Sequence, residues 1–151
     1  YTSGDIIPPQ YISEDAKILR CIIGDGTEIC GEVENSIIGA GVTIKKGAVV
    51  KNSIIMKGTV IGEGAVVEKA IIAENSVIGA GAVLGIGEEK VNRYRPDVYT
   101  GGLVTIGEDS IIPDGVKIGK NTAIIGKTEA ADYPDGILES GESIIKDGDE
   151  A

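Results

Sequence analysis

Aliphatic residues recur along this chain in steps of six, separated by small and polar positions. Ile44-Lys-Lys-Gly-Ala-Val, Ile61-Gly-Glu-Gly-Ala-Val and Ile78-Gly-Ala-Gly-Ala-Val begin 17 residues apart. Between them, Ile38-Gly-Ala-Gly-Val-Thr, Ile55-Met-Lys-Gly-Thr-Val and Ile72-Ala-Glu-Asn-Ser-Val keep the same spacing. Further on, Ile106-Gly-Glu-Asp-Ser-Ile, Ile112-Pro-Asp-Gly-Val-Lys and Ile118-Gly-Lys-Asn-Thr-Ala follow one another at six-residue steps. The first position of each hexad is aliphatic, and the fifth is small or β-branched, as at Ala48, Thr59, Ala65, Ser76 and Val116. Strand alternation sends positions one and five inward and position six outward. The fourth position is Asp15, Gly26, Gly41, Gly47, Gly58, Gly64, Asn75, Gly81, Asp109, Gly115 or Asn121. These are the residue types that tolerate positive φ. The pattern predicts a short strand and a left-handed corner in every hexad.

Three such corners close a triangle of about 18 residues, and stacked triangles make a parallel β-helix. The hexad is the known signature of the left-handed form. The third side is one residue short in Ile18-Leu-Arg-Cys-Ile, Val33-Glu-Asn-Ser-Ile, Val50-Lys-Asn-Ser-Ile and Val67-Glu-Lys-Ala-Ile, which reduces the period to 17. The prediction is therefore an all-β domain over 12–125 with about six coils, at 12–22, 23–37, 38–54, 55–71, 72–84 and 106–124. At about 4.8 Å per coil, the prism is roughly 25–30 Å long. Residues 1–11, with Pro8-Pro9-Gln10, read as the remnant of a linker. Residues 85–102 leave the prism as an excursion, and 126–151 form a C-terminal tail or cap. A cap is expected because a solenoid end exposes unpaired backbone groups.

The same alternation leaves apolar residues outside. With Val50, Ser53 and Ile55 inward, Ile54 points outward, and its equivalents Ile22, Ile37 and Ile71 stack with it as an external ridge. Val49, Val66 and Val83 form a second outward column. An apolar ridge on a chain of net charge −10 is expected to lie against another protein surface, either a second copy or a further domain.

Composition supports strands and narrows the chemistry. There are 26 Ile and 13 Val against 4 Leu, and β-branched side chains suit a pleated surface. The 23 glycines supply turns. The chain has no histidine, which removes an imidazole base, a Ser-His-Asp triad and any histidine-bound metal. It also removes the chemistry of hexapeptide acyltransferases and carbonic anhydrases, which depend on histidine. The acidic balance argues against a nucleic-acid partner. No apolar run reaches the roughly 20 residues of a membrane span, and no leader opens the chain. With Tyr1 in place of Met, the chain reads as a soluble fragment cut from a longer protein, and the absence of a secretory signal makes that protein cytoplasmic in expectation. Cys21 and Cys30 are expected to be reduced thiols. The carboxylates are scattered, with no metal-ligand set and no catalytic constellation.

Tyr11-Ile12 after Pro-Pro-Gln, Gly31-Glu-Val-Glu-Asn-Ser-Ile-Ile38, and Gly47-Ala-Val-Val-Lys-Asn-Ser-Ile-Ile-Met56-Lys-Gly-Thr-Val-Ile-Gly62 closely resemble the C-terminal domain of bacterial glucose-1-phosphate adenylyltransferases. Tyr94-Arg-Pro-Asp97 and Ile112-Pro-Asp-Gly-Val-Lys-Ile-Gly119 look like the same family, so the resemblance covers 8–125. It implies a parent enzyme that makes ADP-glucose and pyrophosphate from ATP and glucose 1-phosphate in glycogen synthesis. It further implies that chemistry and Mg²⁺ belong to an N-terminal catalytic domain absent here, so this chain alone is inactive and holds no cofactor. The resemblance makes this β-helix the partner of that catalytic domain, a contributor to a tetramer and a site for anionic effectors. Lys57-Gly58-Thr59 matches a family Pro-Gly-Thr loop linked to effector response, with Lys in place of Pro. Gly58 N–H, the Thr59 hydroxyl and Lys57 could hold an anion, or Gly58 could be one more corner and Thr59 one more inward side chain. Arg93 and Arg95 could hold a phosphate or pin the excursion through carboxylates such as Glu88 or Asp97. The other readings are a stand-alone structural or binding module, or the same domain of another sugar nucleotidyltransferase.

Overall fold

The computed structural model describes residues 11–146, apart from 13, 15 and 99. Asp15 of the corner column, Tyr99 and the Pro8-Pro9-Gln10 stretch lie outside the described residues. The short strands form three parallel sheets of six, seven and seven strands. Each coil but the last gives one strand to each sheet, and the last gives none to the six-stranded one. One coil supplies Thr43–Ile44, Val49–Lys51 and Ile54–Ile55. The next supplies Val60–Ile61, Val66–Glu68 and Ala70–Ile72, which pair with them in register as Val60↔Thr43, Val66↔Val49 and Ile71↔Ile54. The three faces of the resulting β-solenoid are the first, second and third in this order.

The core is a stack of aliphatic columns. Ile29, Ile44, Ile61, Ile78 and Ile112 line the first face; Val33, Val50, Val67, Leu84 and Ile118 the second; Ile38, Ile55, Ile72, Ile106 and Ile124 the third, and all are buried. Each such burial stabilises the fold by about 1.5–3 kcal/mol. Position five is inward too, and its hydroxyls form ladders between coils. Ser53 Oγ donates to Lys51 O at 2.8 Å and accepts from Ala70 N at 3.1 Å, while Ser53 N donates to Ser36 Oγ at 3.1 Å. A polar atom thus enters a thin core without losing a partner.

The corner residues behave as the hexad pattern requires. Gly26, Gly41, Gly47, Gly58, Gly64, Asn75, Gly81, Asp109, Gly115 and Asn121 all have positive φ. The short side has a left-handed corner of its own at Arg20, Asn35, Asn52 and Lys69, with φ of 52–55°. Arg and Lys give no sequence signal for that conformation, which costs of order 1–3 kcal/mol in a non-glycine residue. Other glycines serve close approach instead. A Cβ at Gly62 would lie 2.7 Å from Ala80 N of the next coil.

The solenoid has one layer more than the coils marked out in the sequence, and the tail builds it. Ile137–Leu138 and Ser143–Ile145 extend the second and third sheets by pairing with Lys117–Gly119 and Thr122–Ile125. The first face of this layer is replaced by two short 3-10 turns, Ala130–Asp132 and Pro134–Gly136. Tyr133 between them is buried, with its hydroxyl 2.7 Å from Thr128 Oγ1, which donates to Ile111 O at 2.8 Å. Burial pushes the Tyr133 phenol up to about 12. Lys146 closes the cap with an ion pair to Asp132 at 2.8 Å.

The excursion is placed differently from the sequence partition. It leaves the second face after Val83–Ile86 and re-enters on the third face at Val104–Ile106. It is therefore an insertion at one corner of a coil that 104–106 completes, and not a break between two coils.

Candidate functional site

The excursion carries two of the chain's three arginines, and one buried side chain shapes it. Asn92 is 1 % exposed. Its Oδ1 accepts the backbone N–H groups of Tyr94 and Arg95, each at 2.8 Å. Its Nδ2 donates to Asn121 O at 2.7 Å and Ser143 Oγ at 3.1 Å. Asn121 returns the grip, with Oδ1 accepting from Gly102 N at 2.7 Å and Nδ2 donating to Lys90 O at 2.8 Å. Lys69 Nζ adds a bond to Gly101 O at 2.9 Å. The loop that presents Arg93, Tyr94 and Arg95 is thereby fixed to the last two layers.

Arg93 pairs with Glu142 at 3.0 Å, and its N–H donates to Gly141 O at 2.9 Å. Pinning by a carboxylate is what the structure shows for this residue, but the carboxylate is on the terminal layer and is neither Glu88 nor Asp97. Among the described residues no ion pair engages Arg95, whose guanidinium carbon sits 5.6 Å from the Tyr94 ring centroid. Such stacking leaves its donors free for an anion. Next to the loop is a cleft of about 330 Å³ bordered by Ile86, Lys90, Gly119, Ile137 and Ser140.

The Lys57-Gly58-Thr59 corner is built inward. Gly58 N–H donates to Ala40 O at 3.0 Å. Thr59 is buried, its hydroxyl donating to Ala73 O at 3.0 Å and accepting from Ser76 N at 3.3 Å. Of the two readings for this stretch, the structure fits the inward one: Gly58 is a left-handed corner, both groups are committed between coils, and of the three residues only Lys57 is exposed, so Gly58 and Thr59 do not face an anion. Lys57 also lies at the corner between the third and first faces, whereas Arg93 and Arg95 lie at that between the second and third. The structure does not bring the two sets to one corner.

The third face carries the isoleucine ridge in register: Ile22↔Ile37, Ile37↔Ile54 and Ile54↔Ile71, ending where Ile71 meets Thr105. Ile22, Ile37 and Ile54 are exposed and Ile71 is half-buried. A side-chain ladder flanks the ridge. Arg20 Nε donates to Asn35 Oδ1 at 2.7 Å, Asn35 Nδ2 to Asn52 Oδ1 at 3.2 Å, and Asn52 Nδ2 to Glu68 Oε2 at 3.0 Å. A groove of about 440 Å³ runs between ladder and ridge. Val49, Val66 and Val83 stack on the second face, half-buried.

Asn92, Asn121 and Glu142 escaped the sequence reading of the site. Asn121 gave a signal only as a corner residue; Asn92 and Glu142 gave none. Both cysteines are free thiols. Among the described residues no three His, Cys, Asp or Glu side chains converge as metal ligands. No helix among them is long and apolar enough to cross a membrane.

Comparison with known proteins adds three findings. The profile of GlmU-like, C-terminal hexapeptide domains matches residues 8–106. The chain is 66 % identical over 149 residues to a glucose-1-phosphate adenylyltransferase of Lachnospira eligens, covering 99 % of this chain and 35 % of that protein. It is 51 % identical over 145 residues to one from Thermotoga neapolitana, covering 96 % and 34 %. The chain spans about a third of the length of the curated relatives it matches. Among solved structures, the acetyltransferase domain of PglB from Neisseria gonorrhoeae superposes with a TM-score of 0.54 at 20 % identity, covering 94 % of this chain and 53 % of that one. That likeness concerns the fold alone.

Proposed function

Because the chain belongs to the family of GlmU-like C-terminal hexapeptide domains, we propose that it is the assembly and regulatory domain of a glucose-1-phosphate adenylyltransferase. The parent joins ATP and glucose 1-phosphate to give ADP-glucose and pyrophosphate in the cytoplasm. The nucleotide-binding machinery and its Mg²⁺ belong to the remaining two-thirds of such an enzyme. This chain contributes the ridge Ile22, Ile37, Ile54 and Ile71, with Val49, Val66 and Val83 as a lesser face, to contacts with the catalytic domain and with other subunits of a tetramer. Arg93 and Arg95 bind an anionic regulator, with Lys57 as a separate basic point.

One observation carries this reading. The likeness to adenylyltransferases runs through almost the whole chain, excursion and terminal layer included, at 66 % identity over 149 residues.

The test is a chimera in which this chain replaces the matching third of the Lachnospira eligens protein. ADP-glucose formation is expected from the chimera and none from the chain alone. Across a panel of sugar phosphates, nucleotides and carboxylates, Arg95→Ala is expected to shift the midpoint of a responding effector with little change in unstimulated rate. A folded chimera without activity would instead favour a stand-alone binding module or the domain of another sugar nucleotidyltransferase.

A further inference from the structure

We propose that Glu142 is a built-in competitor for the anion captured by the excursion, holding Arg93 until a ligand displaces it. The inference rests on the anion-binding reading above and adds the group that sets its affinity. Arg93 Nη1 donates to Glu142 Oε2 at 3.0 Å, with the arginine side chain 78 % exposed and the glutamate 38 % exposed. Solvent anions can therefore reach the guanidinium, but one of its donors is already taken by a carboxylate.

The backbone keeps that carboxylate in place. Glu142 lies at the corner between Ile137–Leu138 and Ser143–Ile145 in the terminal layer. Its neighbours Gly141 and Ser143 are both bonded to the excursion, through Arg93 N at 2.9 Å and Asn92 Nδ2 at 3.1 Å. Arg93 and Glu142 thus face each other across a joint held by one main-chain bond and one side-chain bond, neither of which uses the ion pair.

An incoming phosphate or carboxylate must displace Glu142 or sit beside it, and two like charges on one guanidinium repel. An exposed ion pair is weak, so displacement is reversible. Arg95, two residues on and free of any ion pair among the described residues, adds positive charge to the same loop without a competitor of its own. Removing the carboxylate then strengthens anion binding, by at most the factor with which the anion loosens the pair.

The experiment is an NMR titration of the 151-residue chain with inorganic phosphate at low ionic strength, comparing wild type, Glu142→Gln, Arg93→Gln and Arg95→Gln. Glu142→Gln is expected to bind phosphate about two- to fivefold more tightly, matching the usual strength of an exposed pair. Arg93→Gln and Arg95→Gln are expected to weaken binding. The Glu142 side-chain carboxyl resonance should move toward its unpaired position as phosphate is added to wild type. Equal affinities in wild type and Glu142→Gln, with binding lost in Arg93→Gln, would overturn the competition and leave the anion site standing. Absence of saturable binding in all four proteins would remove both.

Discussion

Asn92 and Asn121, 29 residues apart in sequence, interlock across the corner where the excursion meets the prism. Asn92 donates to the Asn121 carbonyl at 2.7 Å, and the Asn121 amide in turn bonds Lys90 and Gly102 on either side of Asn92. Asn121 reaches both because it sits in the left-handed conformation, φ 56°. The terminal layer is tied in through Ser143.

Replacing Asn92 with Ala leaves the Tyr94 and Arg95 N–H groups and the Asn121 carbonyl without this partner. The bond to the Asn121 carbonyl is buried, and one buried group stripped in this way costs about 1–3 kcal/mol of stability. Urea denaturation of Asn92→Ala should show a loss of that size. Hydrogen exchange should rise first over 86–102 and 143–145. A loss below about 0.5 kcal/mol, the range of ordinary surface changes, would mean that water satisfies the corner and that the clasp is incidental.

Two neighbouring glycines should respond unequally to the same change. Gly64 has φ 69° and open space around a built Cβ, so Gly64→Ala pays only the left-handed strain, about 1–2 kcal/mol. At Gly62 a Cβ would press on Ala80 N at 2.7 Å, and backbone cannot rotate away. Gly62→Ala is expected to cost about 3 kcal/mol or more. Equal costs in thermal unfolding would show that adjacent coils separate freely.

The ridge is tested by charge. Wild-type chain is expected to self-associate in sedimentation velocity, and Ile54→Lys to sediment as a monomer with unchanged circular dichroism. Val49→Lys on the second face should have the smaller effect. A wild-type monomer would direct the ridge to the catalytic domain, whereas Ile54→Lys with undiminished association would place the interface elsewhere.

The cap should set limits to stability at both ends of the pH scale. The Lys146 hydrogen bond, aided by the Glu129 N–H, holds the Asp132 carboxyl below its usual 3.8, so its contribution is present above 3.8 and is lost as pH falls through the lowered value. Lys146 is raised above 10.5 by Asp132, so its contribution is present below 10.5 and is lost as pH rises through the raised value. The buried Tyr133, pushed from 10.0 up to about 12, adds a loss of stability between those values because the unfolded chain gives up its proton first. Asp132→Asn should flatten the acid limb, and Tyr133→Phe the alkaline limb between pH 10 and 12. Unchanged limbs in chemical denaturation across pH would assign the pH dependence to other groups.

Local rules made most of the architecture legible. An aliphatic first position, a small fifth and a Gly, Asn or Asp fourth each describe one residue's own backbone and direction, and a hexad repeats them. That was enough for the parallel solenoid, the inward columns and the outward course of Ile22, Ile37, Ile54 and Ile71. Tertiary structure decided what depends on residues distant in sequence. The left-handed conformations of Arg20 and Lys69 are imposed by the short side, not by their side chains. The need for Gly62 comes from a backbone one coil away. The hexad rule sends Thr59 inward, but its hydroxyl's partners, Ala73 O and Ser76 N, lie on the next coil and only the structure names them. The excursion's attachment was invisible because Asn92 meets Asn121 and Ser143, and Arg93 meets Glu142, only after the tail has folded back as another layer. Periodicity encodes the stack because each coil repeats the same short-range constraints. The site lies where that repetition is broken, and there only long-range hydrogen bonds choose the partners.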